Sequence, residues 1–331
     1  MSTVNPHARS KEFDRAFETI ARIKYAIGET VVGQDELRSR LIGALITDGH
    51  ILLEGVPGLA KTLSIKALAE AIDARFQRIQ FTPDLLPADL IGTEVFKPQD
   101  GTFEVRKGPV FANLILADEI NRAPAKVQSA LLETMQEKQV TIGEKTLRVP
   151  TPFFVMATQN PIEQEGTYPL PEAQIDRFIM KVRVDYPSPE IERQMLDLVT
   201  QESFQTDVRP PVATLEDILQ IKKLLHTIYV DQRIRNYIVD LAWATRTPAN
   251  YGLKMDRLIE LGASPRASIA LFLMARAEAL FSGMTYVTPQ NVKDVAMDVL
   301  RHRVMPTYEA EAQGLNSDAL VSMILEGVQV P

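Results

Sequence analysis

A chain of 331 residues with 45% hydrophobic side chains is long enough for two domains and a substantial core. It has no cysteine, which excludes disulfides, cysteine nucleophiles and thiolate metal sites together. The formal net charge of −7 weakens any case for a dedicated nucleic-acid binder, although a local basic pore could sit within an acidic average.

From the N-terminus, Met1 to His7 lacks the basic-then-apolar order of a signal peptide, and no apolar run approaches the length of a membrane span. Cytoplasmic residence is the default expectation. Phe13, Phe17, Ile20, Ile23 and Ile27 recur at steps of four and three, which predicts an amphipathic helix ending before Gly28. The histidines His7, His50, His226 and His302 show no ligand spacing and read as surface or helix residues rather than metal ligands.

The apolar run Ile51-Leu52-Leu53 leads into Gly55-Val56-Pro57-Gly58-Leu59-Ala60-Lys61-Thr62, and a helix-forming stretch follows. A loop of this composition at a strand-to-helix transition cradles phosphates. Its backbone N–H groups and the free N–H groups of the helix start face the anion, Lys61 adds a point charge, and Thr62 offers a hydroxyl to magnesium. Ala60 stands where the general pattern has glycine, so that backbone position must tolerate a Cβ. A second element, Leu114-Ile115-Leu116-Ala117-Asp118-Glu119, is an apolar strand ending in two carboxylates. Ligands of open α/β sheets gather at the carboxyl ends of the strands, so Asp118 is expected to hold magnesium and Glu119 to activate or orient water. The chain is therefore expected to bind a nucleoside triphosphate.

Strand patterns recur at 50–54, 76–81, 113–117, 153–158 and 178–184, with helical stripes at 61–74 and 124–138 between them. That alternation predicts a mainly parallel sheet sandwiched by helices. Two hairpins interrupt it, 93–96 with 102–105 and 139–142 with 145–149, each around a glycine-containing turn. The strand signals stop at Tyr186-Pro187-Ser188-Pro189, which marks a domain boundary. Beyond it Thr214 with Asp217 forms a capping-box pattern, Ser264-Pro265 opens a nearly all-apolar helix that ends by Gly283, and Thr288-Pro289 opens another. This part is expected to be a small helical domain with the 265–281 stretch as its central buried helix and Trp243 in its core.

Taken together, the phosphate loop, Asp118-Glu119-Ile120-Asn121-Arg122-Ala123, Ala157-Thr158-Gln159-Asn160-Pro161, Glu172 to Phe178 and Ser264-Pro265-Arg266-Ala267 resemble the MoxR family of AAA+ ATPases in order and spacing over nearly the whole chain. The Ala60 variant is usual there. The resemblance implies an α/β fold: an N-terminal helix at 1–28, an αβα core at 29–186 with a parallel five-stranded sheet, a helix-2 insertion hairpin and a pre-sensor-1 hairpin, and an all-α lid at 187–331. It further implies ATP and Mg2+ as ligands and a homo-oligomeric, usually hexameric, ring.

By the same resemblance Asn160 corresponds to sensor 1, Arg177 to the arginine finger supplied to a neighbouring subunit, and Arg266 to sensor 2, while Val31-Val32-Gly33-Gln34 lines the adenine pocket. A guanidinium suits the finger role because it is always charged and its planar fork matches phosphate oxygens. Arg266 would sit in the first turn of a helix, against the dipole, which points to an anionic partner. Arg122 reads first as a structural salt-bridge residue and second as a contact to a neighbouring subunit. The implied work is chaperone-like remodelling or metal-cofactor insertion with a von Willebrand factor A domain partner. Two alternatives stay open: a nucleic-acid motor of the MCM type, and a magnesium-chelatase-like ATPase subunit.

Overall fold

The computed structural model describes residues 9–56, 59, 61–160, 167–200, 210–255 and 257–331. Pro57, Gly58 and Ala60 of the phosphate loop, Pro161, and the first eight residues lie outside them. The elements run in chain order α1 (Lys11–Gly28), α2 (Asp35–Ile46), β1 (Ile51–Gly55), α3 (Lys61–Ala71), β2 (Phe76–Gln80), α4 (Pro87–Ile91), β3 (Gly92–Lys97), β4 (Thr102–Lys107), β5 (Leu114–Asp118), α5 (Ala125–Glu137), β6 (Gln139–Ile142), β7 (Lys145–Arg148) and β8 (Phe154–Gln159). There follow α6 (Glu172–Ile175), β9 (Met180–Val184), α7 (Pro189–Thr200), α8 (Leu215–Leu225), α9 (Gln232–Ala244), β10 (Ile259–Leu261), α10 (Pro265–Phe281), α11 (Pro289–Leu300), β11 (Met305–Pro306), α12 (Tyr308–Ala312) and α13 (Ser317–Gly327). The chain divides into two compact units, one of residues 22–174 and 182–219, the other of 1–21, 175–181 and 220–331.

The first unit is built on a five-stranded sheet of order β2-β5-β8-β1-β9, in which β2 with β5, β5 with β8 and β8 with β1 pair in parallel. The reason is visible strand by strand. Ile51 to Leu53, Leu114 to Ala117 and Phe154 to Ala157 are continuous apolar runs and are fully buried, as strands covered on both faces must be. The edge strand β2 instead mixes polar and apolar residues, and of its side chains only Ile79 is buried. Three adjacent strands therefore end together, delivering Asp118, Gln159 and Gly55 to one side of the sheet. Both hairpins form, β3 against β4 and β6 against β7, as separate two-stranded antiparallel ribbons.

His50 departs from the surface reading. It is buried just before β1, where Nδ1 accepts from the Val155 N–H at 3.1 Å and Nε2 lies 3.2 Å from the Met135 carbonyl. These partners assign the neutral ring with the proton on Nε2, and they tie the start of β1 to β8 and α5.

The second unit is mostly helical, departing from the all-α expectation in the short antiparallel pair of β10 with β11, and its helix starts are set by caps. Ser264 accepts from the Arg266 N–H, Thr288 and Asn291 form a reciprocal capping box, and Asp231, Thr307 and Asn316 cap their own helices. α10 buries Ala267, Ala270, Leu271, Met274, Ala275 and Leu280, and its small residues let α11 approach closely. It is central as expected, yet Ile269 faces out. Trp243 corrects the sequence reading more plainly. The buried stripe of α9 is Ile234, Tyr237, Ile238, Leu241 and Ala244, and position 243 falls off that stripe. The indole is 47% exposed and lies under the Arg246 guanidinium, 5.2 Å from its ring centroid.

Candidate functional site

At the carboxyl ends of the central strands lies a cleft of about 400 Å³, lined by Gly55, Leu59, Lys61, Thr62, Asp118, Glu119, Thr158, Gln159 and Asn160, together with Arg78 and Gln80 of β2. That volume falls within the range of small-molecule sites. Four separate stretches of sequence meet here. The loop after β1 brings Lys61 and Thr62 into the first turn of α3, β5 brings Asp118 and Glu119, β8 brings Thr158 and Asn160, and β2 brings the two residues that the sequence did not single out.

Lys61 donates a short hydrogen bond from Nζ to the Gly55 carbonyl. Burial pushes its ammonium below the usual lysine value, and the negative charges of Asp118, Glu119 and Glu54 push it back up. Gly55 is needed for its lack of a side chain: a Cβ there would sit 2.6 Å from the Val184 carbonyl oxygen.

The two carboxylates are held by a small network. Thr158 Oγ1 donates to Asp118 Oδ1 at 2.7 Å and accepts from the Glu119 N–H at 2.8 Å, so one hydroxyl fixes both residues. Arg78 donates to Asp118 Oδ2 from Nε at 3.1 Å and from Nη2 at 2.6 Å. Glu119 Oε2 accepts from Gln80 Nε2 at 2.8 Å and stands 3.1 Å from Arg122 Nε. Arg122 thus makes the local salt bridge that its position suggested. Glu119 itself takes the left-handed conformation, φ 56° and ψ 50°, which costs a non-glycine residue roughly 1 kcal/mol and turns the chain sharply after β5.

Asn160 follows the end of β8 and is buried. The segment 31–34 is tied to the phosphate loop through Gln34 Nε2, which donates to the Leu59 carbonyl at 3.1 Å. Val31 is buried, and Gly33 has φ +74° with no room for a Cβ beside Ile191. Ile191 carried no signal in the sequence, because nothing local to α7 marks it as a neighbour of residue 33.

Arg177 and Arg266 belong to the helical unit. Arg266 Nη1 lies 3.6 Å from Asp176 Oδ2, which also accepts from Ser264 Oγ at 2.8 Å. Asp176 Oδ1 accepts from Arg303 Nε at 2.7 Å, and Arg303, 2% exposed, also donates to the carbonyls of Asp176, Phe178, Ile179 and Val299. A single buried guanidinium therefore grips the backbone on both sides of Arg177. Burial lowers its pKa, and Asp176 works in the opposite direction. His302 Nε2 faces the Phe178 carbonyl at 3.2 Å, and its pKa is held well below the usual histidine value by burial first and by Arg303 second. The Asp176-Arg303-His302 set went unread in the sequence, since Asp176 stands 127 residues before Arg303, and His302, expected at the surface or in a helix, lies instead in the turn after α11 with its ring held out of solvent.

Among the described residues no helix is long and apolar enough to cross a membrane.

Comparison with known proteins agrees with this geometry. The profile of the ATPase family associated with various cellular activities (AAA) matches residues 50–180, and that of the AAA lid domain matches residues 254–324. The chain is 46% identical to a protein named Chaperone MoxR1 from Mycobacterium tuberculosis over 95% of this chain and 82% of that one. It is 32% identical to Protein MoxR of Methylorubrum extorquens over 95% of this chain and 96% of that one. A solved structure from Cytophaga hutchinsonii, assigned as an ATPase, superposes with a TM-score of 0.91 at 48% identity and covers 97% of both chains. The chain belongs to the MoxR family of AAA+ ATPases and is a chaperone-like ATP hydrolase.

Proposed function

We propose that this chain hydrolyses Mg2+-ATP at the interfaces of a ring, usually of the hexameric type, and uses the cycle to remodel or mature a partner complex. The observation that carries the reading is the convergence of Lys61, Thr62, Asp118, Glu119 and Asn160 in one cleft at the end of the sheet. In this reading the core spans 29–186 and the lid 187–331, behind an N-terminal helix at 1–28. The matched ranges 50–180 and 254–324 fall one within each part, whereas the compact units place 1–21 and 175–181 with the helical part and 182–219 with the core.

The donor set fits a magnesium ion. Magnesium is held by one or two carboxylates with substrate phosphates rather than by an all-protein cage, and the cleft offers the Thr62 hydroxyl and the Asp118 carboxylate. Among the described residues no cluster of three or more acidic or histidine ligands competes with that pair. When bound, the cation would neutralise charge on the phosphate oxygens.

The chain's own groups do the rest. Lys61 exchanges the Gly55 carbonyl for a phosphate oxygen, and the loop from Gly55 to Thr62 holds the anion through the backbone N–H groups of residues such as Val56, Gly58, Leu59 and Ala60, while Pro57 has no N–H to give. Val32 and Gly33 border the base, supported by the bond from Gln34 to the loop. Glu119, held by Gln80 and Arg122, accepts a hydrogen bond from the attacking water and orients it in line. Asn160 positions the same water or the γ-phosphate. Arg177 comes from the adjoining copy to meet charge that develops on the transferred group, a contribution of roughly 10³–10⁵ in rate for such fingers. Arg266 reads the nucleotide state for the lid.

A cytoplasmic location, a von Willebrand factor A domain partner and a role in metal-cofactor insertion complete the reading. The MoxR names of the relatives support its chaperone side.

A mixing experiment tests the interface. Glu119→Gln alone should bind ATP and turn it over on the order of 10²–10⁴ times more slowly, and Arg177→Ala alone should bind ATP and hydrolyse it poorly. Mixed assemblies should regain activity wherever an intact Glu119 meets an intact Arg177. Near-normal turnover in either single variant, or monomers as fast as oligomers, would overturn the proposal. Steep salt-dependent affinity for DNA or RNA would favour the nucleic-acid motor instead.

A further inference from the structure

Arg78 and Gln80 stand two residues apart on β2, so their side chains leave the strand on the same face. The parallel register with β5 sets Arg78 against Leu116 and Gln80 against Asp118. That offset lets the longer side chain reach along the sheet edge to the Asp118 carboxylate. The contact is a fork on a single oxygen: Nε at 3.1 Å and Nη2 at 2.6 Å, both on Oδ2, while Nη2 also donates to Gln80 Oε1 at 3.0 Å. Oδ1 is already engaged by Thr158 at 2.7 Å. A cation that approaches Asp118 therefore meets a carboxylate whose two oxygens both carry donors, one of them a full positive charge.

The two sides of this pair differ in freedom. The Asp118 side chain is 16% exposed and fixed by Thr158, whereas the Arg78 side chain is 51% exposed. Exposed ion pairs are weak and screened, so the guanidinium can be driven off at small cost. Arg78 also lines the cleft that holds Lys61 and Thr62, so a phosphate chain bound there offers it another anion within the same space.

We propose that Arg78 is a displaceable counter-ion for the metal-side carboxylate: guanidinium and divalent cation compete for Asp118 Oδ2, and the cation wins only when a triphosphate accompanies it. This rests on the reading of Asp118 as the metal-side carboxylate. The consequence is a coupling between metal and nucleotide. Free magnesium is turned away by like charge, while the magnesium-nucleotide pair brings both a rival cation for Asp118 and a new partner for Arg78. Arg78 acts through Asp118 and is a positioning residue.

The test uses the full chain and Mn2+ as the probe, followed by electron paramagnetic resonance with and without a non-hydrolysable ATP analogue. Without nucleotide, Arg78→Met should bind Mn2+ on the order of tenfold more tightly than the native chain, as expected for removal of one like charge at contact distance. Arg78→Lys, which keeps the charge and loses the fork, should fall between them. With nucleotide the three should converge. Adding Asp118→Asn to Arg78→Met should erase the gain. Equal Mn2+ affinity of the native chain and Arg78→Met without nucleotide overturns the proposal, as does a gain that survives Asp118→Asn. The underlying reading is tested apart: Asp118→Asn alone, measured with nucleotide, should weaken Mn2+ binding. If it does not, the assignment of Asp118 fails and the proposal fails with it.

Discussion

The cleft and the helical unit each hold an aspartate on an arginine, and the two pairs are built for opposite purposes. Asp118 meets an arginine that is half in solvent, beside a threonine hydroxyl and an exposed glutamine-glutamate contact. Asp176 meets Arg303, which is all but sealed and which spends its remaining donors on four backbone carbonyls. An exposed pair can be exchanged for a ligand because water compensates either partner when they part. A buried pair cannot, because removing one partner strands the other in a medium that solvates it poorly. The first arrangement suits a site that must open to phosphate and metal. The second fixes backbone, and the backbone it fixes carries Arg177.

Four substitutions would break or sharpen that contrast. The largest effect on stability should come from Arg303→Met, which leaves Asp176 with weaker partners and several carbonyls without donors. It should cost about 3–5 kcal/mol, read as a lower midpoint in chemical denaturation. A loss under about 1 kcal/mol would mean that the grip on residues 176–179 is decorative. In the cleft, Thr158→Val removes the donor to Asp118 and leaves the Glu119 N–H without its acceptor. About 1–3 kcal/mol should be lost, with a fall in ATP turnover, and unchanged turnover would show that this hydroxyl does not order the carboxylates.

The third concerns pH. His302 is buried and its folded-state pKa lies below its unfolded value near 6.5. As pH falls below about 6.5 the unfolded chain binds a proton that the folded chain refuses, so stability falls with pH, by at most about 1.4 kcal/mol per unit. Above that window the residue is neutral in both states and contributes no slope. Denaturation at pH 7.5 and 5.5 should show the loss, and His302→Gln should flatten it. A slope that persists in His302→Gln would assign the effect to other groups. The smallest effect belongs to Trp243→Ala, within about 0.5 kcal/mol because the indole is about half exposed and lies off the buried stripe of α9. A larger loss would show that its contact with Arg246 is structural.

Much of the fold could be read before any coordinates. Continuous apolar runs announced β1, β5 and β8, glycine-containing turns announced both hairpins, and Thr214 with Asp217 forms the reciprocal cap that its spacing suggested. Trp243 failed because a helix buries a stripe, and which residues make the stripe depends on the neighbours of α9. His50 failed because its role depends on a β8 N–H and an α5 carbonyl far away in the chain. Arg78 and Gln80 left a faint signal, two polar residues at alternate positions beside an apolar one, which could have marked an edge strand with one functional face.

The sequence by itself determined what depends on neighbours along the chain: the phosphate loop, the paired carboxylates, the caps and the strand and helix periods. Those follow from backbone geometry repeating every two or 3.6 residues and from a loop that carries its own donors. Only the tertiary structure decided which distant groups meet, with Arg78 on Asp118, Thr158 between the two carboxylates and Arg303 around residues 176–179. Strand order and helix packing set those distances, and no pattern within a single segment encodes them.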